Sequence, residues 1–381
     1  MPLTPAGPPA RPADRLVVVA APGAVPDPRA VRRVLHDALA AEGCSADLVL
    51  ADSHAELARV VGSVAAGDEL VLLPAVGDDV TVLDLPGTAP VIRVDVGDRR
   101  RDPSPRVRRH IRGRGTDGLR FAAQAWCAHR SSPAVTRPYG RDPDQRAELR
   151  LPAGDVPPHG FPVAVLVHGG YWRSRWENDL MEPMAVDLTA RGFATWNVEY
   201  RRPDDHDWAA TTSDVAAALE ALSTVDAGLD LSRVVTLGHS AGGQLVVRLA
   251  ADVAADASAT VRPVLTVSLA GVLDLVEADR RWLGDGAARA ALGGRAAEVP
   301  DRYRASSPVE RLPVGLPLAV VCGRQDDPHL LGMARRFAPA AAAAGDDVVV
   351  VEGEGDHFAP IDPGSAIWSS VVEVVEARAR R

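Results

Sequence analysis

Only three cysteines, Cys44, Cys127 and Cys322, occur in the 381 residues, and none belongs to a CxxC pair. The odd count and wide spacing exclude a disulfide framework or a zinc knuckle, and a reduced, cytoplasmic setting fits best. No apolar run approaches the roughly 18–20 residues a membrane span requires, so no membrane partner is expected. The opening MPLTPAGPPARPADR has no apolar h-region, which excludes a secretory signal; residues 1–13 read as a disordered leader. HExxH and comparable ligand spacings are missing, so neither a metal nor another cofactor is expected. Positive charge is also in deficit: the formal net charge is −9, which excludes nucleic acid as a partner of the chain as a whole. Lysine is absent, all 42 residues of the lysine-plus-arginine total being arginine, while alanine and valine are abundant, a pattern we read as codon bias.

What remains is ordinary globular material, 46% apolar and 24% charged, ample for a buried core. The stretch SSPAVTRPYGRDPDQ is polar, holds three prolines and lacks periodicity; residues 131–145 read as a linker between regions 14–130 and 146–381. In the first region strands are expected at 16–20, 45–50, 69–73 and 91–96, with helices at 28–42, 54–65 and 121–128. In the second, strands are expected at 163–167, 193–200, 233–237, 264–269, 318–321 and 348–351. Helices fall between them at 181–191, 212–222, 241–253 and 332–344, and at 367–378. Alternating strands and helices imply parallel sheets covered on both faces. The residues between 269 and 318 leave room for a small cap.

The second region carries the chemistry. Gly238-His239-Ser240-Ala241-Gly242, followed by Gly243, matches a GxSxG elbow. An apolar strand, RVVTL, runs into it and an apolar helix leaves it. That sharp turn projects a serine hydroxyl from the sheet edge, and the glycines let the backbone pass without clash. Upstream, His168-Gly169-Gly170-Tyr171-Trp172 follows another apolar strand. Attack on a carbonyl builds negative charge on oxygen, which needs preorganised N–H donors. Gly169, Gly170 and Tyr171 offer such amides on one side, Gly170 and Tyr171 foremost, and Ala241 on the other. Downstream, Asp326 in Gly323-Arg324-Gln325-Asp326-Asp327 and His357 in Gly355-Asp356-His357-Phe358 each follow a strand. The order serine, acid, base gives Ser240 as nucleophile, His357 as general base and Asp326 as the residue that orients it. Asp327 is the rival acid. Asp356 is expected to point elsewhere, and His239 and His168 to be structural. Tyr171, Trp172 and Trp176 are candidates for contact with substrate, as are Trp282 and Phe358; core packing is the alternative for the four tryptophan and phenylalanine residues.

HGGYW, WNVEYRRP, GHSAGG, SLAGVLDL, GRQDD and GDHF together resemble an α/β-hydrolase of the esterase/lipase kind, similar to bacterial members allied to arylformamidases (kynurenine formamidases). The HGG-Tyr-Trp form carries the arylformamidase likeness. It departs from that family after the acid, where Asp327-Pro328-His329-Leu330 stands in place of a Ser-Pro pair and an aromatic. The resemblance implies hydrolysis of a small ester or amide, either a short-chain carboxylic ester or an N-formyl aryl amide.

The first region resembles a degenerate type II 3-dehydroquinate dehydratase, a small flavodoxin-like enzyme with a doubly wound parallel sheet. LVVVAAPG, ADSHAEL, LLPAVGDD and PVIRVDVGD carry the likeness. The departures fall on catalytic positions: Leu73 replaces an asparagine, Asp95 replaces the catalytic histidine, and the lid bearing arginine and tyrosine is missing. His54, Glu56 and Arg108 are candidates for retention. The resemblance implies a domain that no longer dehydrates and serves subunit assembly, since that family builds trimer-based oligomers; an active dehydratase or a ligand-binding module is the alternative. Residues 98–115 hold eight arginines and read as a solvated loop or as salt bridges across a subunit contact, with an anion or RNA patch as the alternative.

Overall fold

The computed structural model describes residues 15–25, 27–41, 43–77, 80–99 and 101–379; the expected leader, 1–13, lies outside them. The chain divides into two compact units, Met1–Pro133 and Ala134–Arg381.

The first unit runs β1 (Leu16–Ala20), α1 (Pro28–Ala41), β2 (Asp47–Leu50), α2 (His54–Ser63), β3 (Glu69–Leu73), β4 (Val91–Asp95), β5 (Val107–Arg112) and α3 (Gly118–Ser131). All pairs are parallel and the strand order is β2-β1-β3-β4-β5, the doubly wound order of flavodoxin-like sheets. Every residue of β1, β3 and β4 is buried, as near-continuous apolar strands require. Helix α2 starts at Ser53, whose hydroxyl accepts the Glu56 amide, a regular N-cap.

One expectation fails here. Residues 98–115 are not simply a solvated loop, because they contain β5, in which Arg109, His110 and Arg112 are 3–5% exposed. Among the described residues, the connections β3–β4 and β4–β5 carry no α-helix, only a short 3-10 turn at Val82–Asp84. Helix α3 packs on one face, where a Cβ on Gly118 would lie 2.7 Å from Val94 and 3.3 Å from Ile111. The opposite face of β4 and β5 is closed by charge. The Arg93 guanidinium forks onto Asp95 (2.8 and 3.1 Å) and reaches Asp102 at 2.6 Å. His110 Nε2 meets Asp95, and the Asp102 amide donates to His110 Nδ1 at 3.0 Å. Buried charges persist only when paired in this way.

The second unit comprises β6 (Val135–Pro138), β7 (Arg146–Arg150), β8 (Phe161–Val167), α4 (Glu182–Ala190), β9 (Ala194–Val198), α5 (Trp208–Glu220), β10 (Leu229–His239), α6 (Ala241–Ala255), β11 (Leu265–Leu269), α7 (Leu275–Arg280), α8 (Leu283–Leu292), α9 (Pro300–Ser306), β12 (Leu318–Gly323), α10 (Pro328–Ala344), β13 (Val348–Gly353) and α11 (Ala366–Ala379). The sheet order is β13-β12-β11-β10-β8-β9-β7-β6. Only β7 runs against its neighbours. Strand β10 lies at the centre, parallel to β8 and β11, so the turns after β8, β10, β12 and β13 open at one edge of the sheet. Helices α7 to α9 fill the interval after β11.

The expected linker 131–145 is corrected as well. It supplies β6, which pairs with β7. The Tyr139 hydroxyl donates to the Glu199 carbonyl, Gln145 donates to Asp214 at 2.7 Å, and Asp144 pairs with Arg202 at 2.9 Å. The prolines that suggested a linker are tolerated because β6 is an edge strand with no ladder to interrupt on its outer side. No helix among the described residues is long and apolar enough to cross a membrane.

Candidate active site

The turn after β10 forces its central residue into an unusual backbone. Ser240 has φ 54° and ψ −114°, a conformation that costs a non-glycine residue of order 1–3 kcal/mol. The surrounding glycines are steric necessities. A Cβ on Gly238 would sit 2.1 Å from the Gly242 carbonyl oxygen, and one on Gly242 would sit 2.1 Å from that of Val167. The Ser240 amide donates to Leu269 at 2.8 Å, and its carbonyl accepts from Gln244 and Val272. Helix α6 starts at Ala241, whose N–H is among the first four, which have no partner within the helix.

The HGG loop lies against this elbow. A Cβ on Gly169 would be 2.6 Å from the His239 carbonyl oxygen and 2.9 Å from Ser240 Cβ, and one on Gly170 would strike the Trp176 ring at 2.3 Å. Gly170, Tyr171 and Trp172 all have positive φ, so the loop coils tightly. It is held from below by residues the sequence reading left as structural or did not assign. The His168 ring meets the Gly169 carbonyl at 2.8 Å and Glu199 at 3.2 Å, stacks on Tyr200 at 4.4 Å, and its carbonyl accepts the Tyr200 hydroxyl at 2.8 Å. Burial alone would raise the Glu199 carboxyl; Arg202, His168 and Arg146 outweigh it and hold the group well below the usual carboxylate range.

The acid and base turns touch each other. A Cβ on Gly323 would be 2.2 Å from the Gly355 carbonyl oxygen. His357 Nδ1 lies 2.9 Å from Asp326 Oδ1, and Asp326 is 5% exposed. The same oxygen accepts the Asp327 amide at 2.6 Å. Asp327 itself caps α10, its carboxylate accepting the His329 amide at 2.7 Å. Asp356 is turned away and accepts from Phe358 and Ala359. The fold thus brings Ser240, Ala241, Gly169 and Gly170, with Asp326 and His357, to one edge of the sheet, and gives Asp327 a different task.

The aromatic candidates divide. Trp172 is 2% exposed, donates to Gln244 at 3.1 Å and packs edge-on against Trp208 at 5.8 Å. It belongs to the core, which corrects its assignment as a substrate contact. Trp176 is half-buried against Gly170. Tyr171 is half-buried beside the acid loop; burial, followed by Asp327 and Asp326, raises its hydroxyl, which therefore stays protonated. Its ring lies flat on the α8 turn, where a Cβ on Gly284 would come within 2.7 Å. Trp282 and Phe358 are about half exposed.

Asp142, Asp144 and His206 have ligand atoms within 4.8 Å of one another. Asp144 is already paired with Arg146 and Arg202, one on each carboxylate oxygen. In the first unit Arg108 binds Glu69 at the start of β3, whereas His54 and Glu56 open α2 at the far end of the parallel strands. The structure therefore does not bring together the three residues expected to persist there.

The order and polarity of the eight strands, with the serine turn after the central one, give the second unit the α/β-hydrolase fold. Residues 148–329 match the family model described as BD-FAE, an α/β-hydrolase family; the stretch includes Ser240 and Asp326 and ends before His357. Among solved structures the chain is similar to esterase B from Lactobacillus rhamnosis inhibited by a tributyrin phosphonate: 19% identity, TM-score 0.57, 66% of this chain and 87% of that one. It is also similar to a bacterial heroin esterase (21%, TM-score 0.53, 66% and 84%). A third is the thermophilic esterase of the Planctomycetes species Thermogutta terrifontis with propionate bound (22%, TM-score 0.51, 64% and 92%). At these identities the likeness is one of fold. No curated protein matches the chain.

Proposed function

We propose that the second unit is a serine hydrolase that cleaves small carboxylic esters through an acyl-enzyme on Ser240. The observation that carries this reading is the 2.9 Å contact of His357 Nδ1 with the buried Asp326, on turns adjoining the Ser240 elbow. With Nδ1–H committed to Asp326, His357 Nε2 is the basic nitrogen left for the serine. It takes the proton from Ser240 Oγ as that oxygen attacks the ester carbonyl. The carbonyl π pair moves to oxygen, where the amides of Ala241 and of the Gly170–Tyr171 turn donate to it. As the carbonyl reforms, the bond to the alcohol oxygen breaks and His357 returns its proton there. Water then repeats the sequence on the acyl group and frees the acid.

The esters processed by the structural neighbours support an ester rather than an amide. The HGG-Tyr-Trp loop supports an N-formyl aryl amide as the second substrate class, because Tyr171 lies beside the acid loop, where an aryl leaving group would meet it. The test compares wild type and Ser240→Ala on p-nitrophenyl acetate and N-formylkynurenine, with a fluorophosphonate probe alongside. Turnover by wild type, with a loss of roughly 10³-fold or more in the variant, supports the triad, and the preferred substrate separates the two classes. Absence of both turnover and labelling sinks the hydrolase reading.

A further inference from the structure

The residue before the nucleophile has no part in the proton transfers above, yet two other turns of the site close on it. His239 is 1% exposed. Its Nε2 lies 2.9 Å from the backbone carbonyl oxygen of His357, 118 positions away. Its ring is 4.8 Å from that of His357 and 5.6 Å from that of Phe358. On its other side a Cβ on Gly169 would be 3.2 Å from its Nδ1, so the HGG loop rests on the same imidazole.

We infer that His239 is a positioning residue that fixes the turn carrying His357 over Ser240; the inference rests on the triad reading above. The His357 turn needs such an anchor. It leaves β13, the last strand at its edge of the sheet, passes through Gly355 at φ 133°, and places Phe358 46% exposed. Its ties to the acid loop are the Gln325 amide on the Gly355 carbonyl at 3.0 Å, the Gly355 amide on the Gln325 side chain, and His357 Nδ1 on Asp326 at 2.9 Å. His239 joins it directly to the elbow. Because a carbonyl only accepts, Nε2 of His239 must carry the hydrogen, and the ring is then neutral with its lone pair on Nδ1. Burial, helped by the adjacent His357, pushes His239 down to about 3. The ring therefore stays neutral while His357 gains and loses its proton, and it neither competes as a base nor repels the imidazolium.

Three substitutions in the full chain separate anchoring from mere filling. His239→Gln can place an amide N–H near the Nε2 position. His239→Asn is polar but shorter and reaches only the Nδ1 position, and His239→Ala removes both. Steady-state hydrolysis of p-nitrophenyl acetate is expected to show kcat about 10- to 100-fold lower for Asn and Ala, the size of a misplaced catalytic group. The Gln variant should stay within about 3-fold of wild type, and KM should move less than about 3-fold in each. If the Ala variant does not fold, the Asn and Gln pair decides. Wild-type kcat in the Asn variant, or equal losses in Asn and Gln, overturns the inference while leaving the triad intact. A wild-type chain that neither hydrolyses nor takes up fluorophosphonate overturns the triad reading and this one with it.

Discussion

Two adjacent carboxylates follow β12, and their surroundings give them opposite work. Asp326 is buried and faces His357; Asp327 is exposed and caps α10. Asp326→Asn should lower kcat by roughly 10³- to 10⁴-fold, because an amide in that place favours the wrong imidazole tautomer. Asp327→Ala should leave kcat within about 10-fold and cost about 1 kcal/mol of stability, the value of an N-cap. Steady-state kinetics and urea denaturation of both variants read the two effects, and a reversed pattern would move the acid to Asp327. The glycine spacing, the strand before each motif and the chain order were all local, which is why Ser240, Asp326 and His357 were legible. His239, Glu199 and Arg202 act through partners brought in from remote parts of the chain, as with His239 and His357, or through a buried ion cluster. No spacing in the sequence announces either kind of contact.

At the scale of elements, the apolar strands stood out in the sequence and β5, β6 and β7 did not. Strands β1, β3, β8 and β12 are built around runs of valine, leucine and alanine, whose burial the sequence pattern carries directly. Strand β5, VRRHIR, closes its face with ion pairs, and β6, VTRP, is a polar edge containing proline. Both lack the apolar signal that identifies strands. The charged face in the first unit makes its stability depend on pH. Burial pushes His110 below its ordinary value, against Asp95, which favours the charged form. The unfolded chain takes up this proton near about pH 6.5 and the folded chain only at lower pH. Between those values the unfolded state holds more protons, so stability is full above about pH 6.5 and declines as pH falls. Asp95, whose burial is outweighed by bonds from His110 and Arg93, adds a second loss only below the ordinary carboxylate range. Hydrogen exchange of the β4 and β5 amides, corrected for intrinsic rates, should therefore show weaker protection at pH 5 than at pH 7. His110→Asn should flatten that difference; an unchanged slope would show that His110 is not its source.

For the molecule as a whole, every residue of the proposed site lies in the unit Ala134–Arg381, with a core of its own. A fragment of residues 134–381 should fold alone and hydrolyse p-nitrophenyl acetate within about 3-fold of the full chain. A fragment beginning at 146, where the polar composition first suggested a domain start, should not. It lacks β6, the Tyr139 hydroxyl on the Glu199 carbonyl, and the Asp144 partner of Arg202. Arg202 is 1% exposed and its pair with Asp144 is part-buried, so losing Asp144 leaves a buried charge with one partner fewer, which destabilises. The loss is transmitted to catalysis because Arg202 and Glu199 support His168, and His168 carries the HGG loop. Urea denaturation and kinetics of the two fragments make the comparison. If 146–381 proves as stable and as active as 134–381, the edge hairpin is an ornament of the sheet and the ion cluster does not hold the loop. If only 134–381 works, the segment that reads as a linker is the foundation on which the oxyanion loop stands.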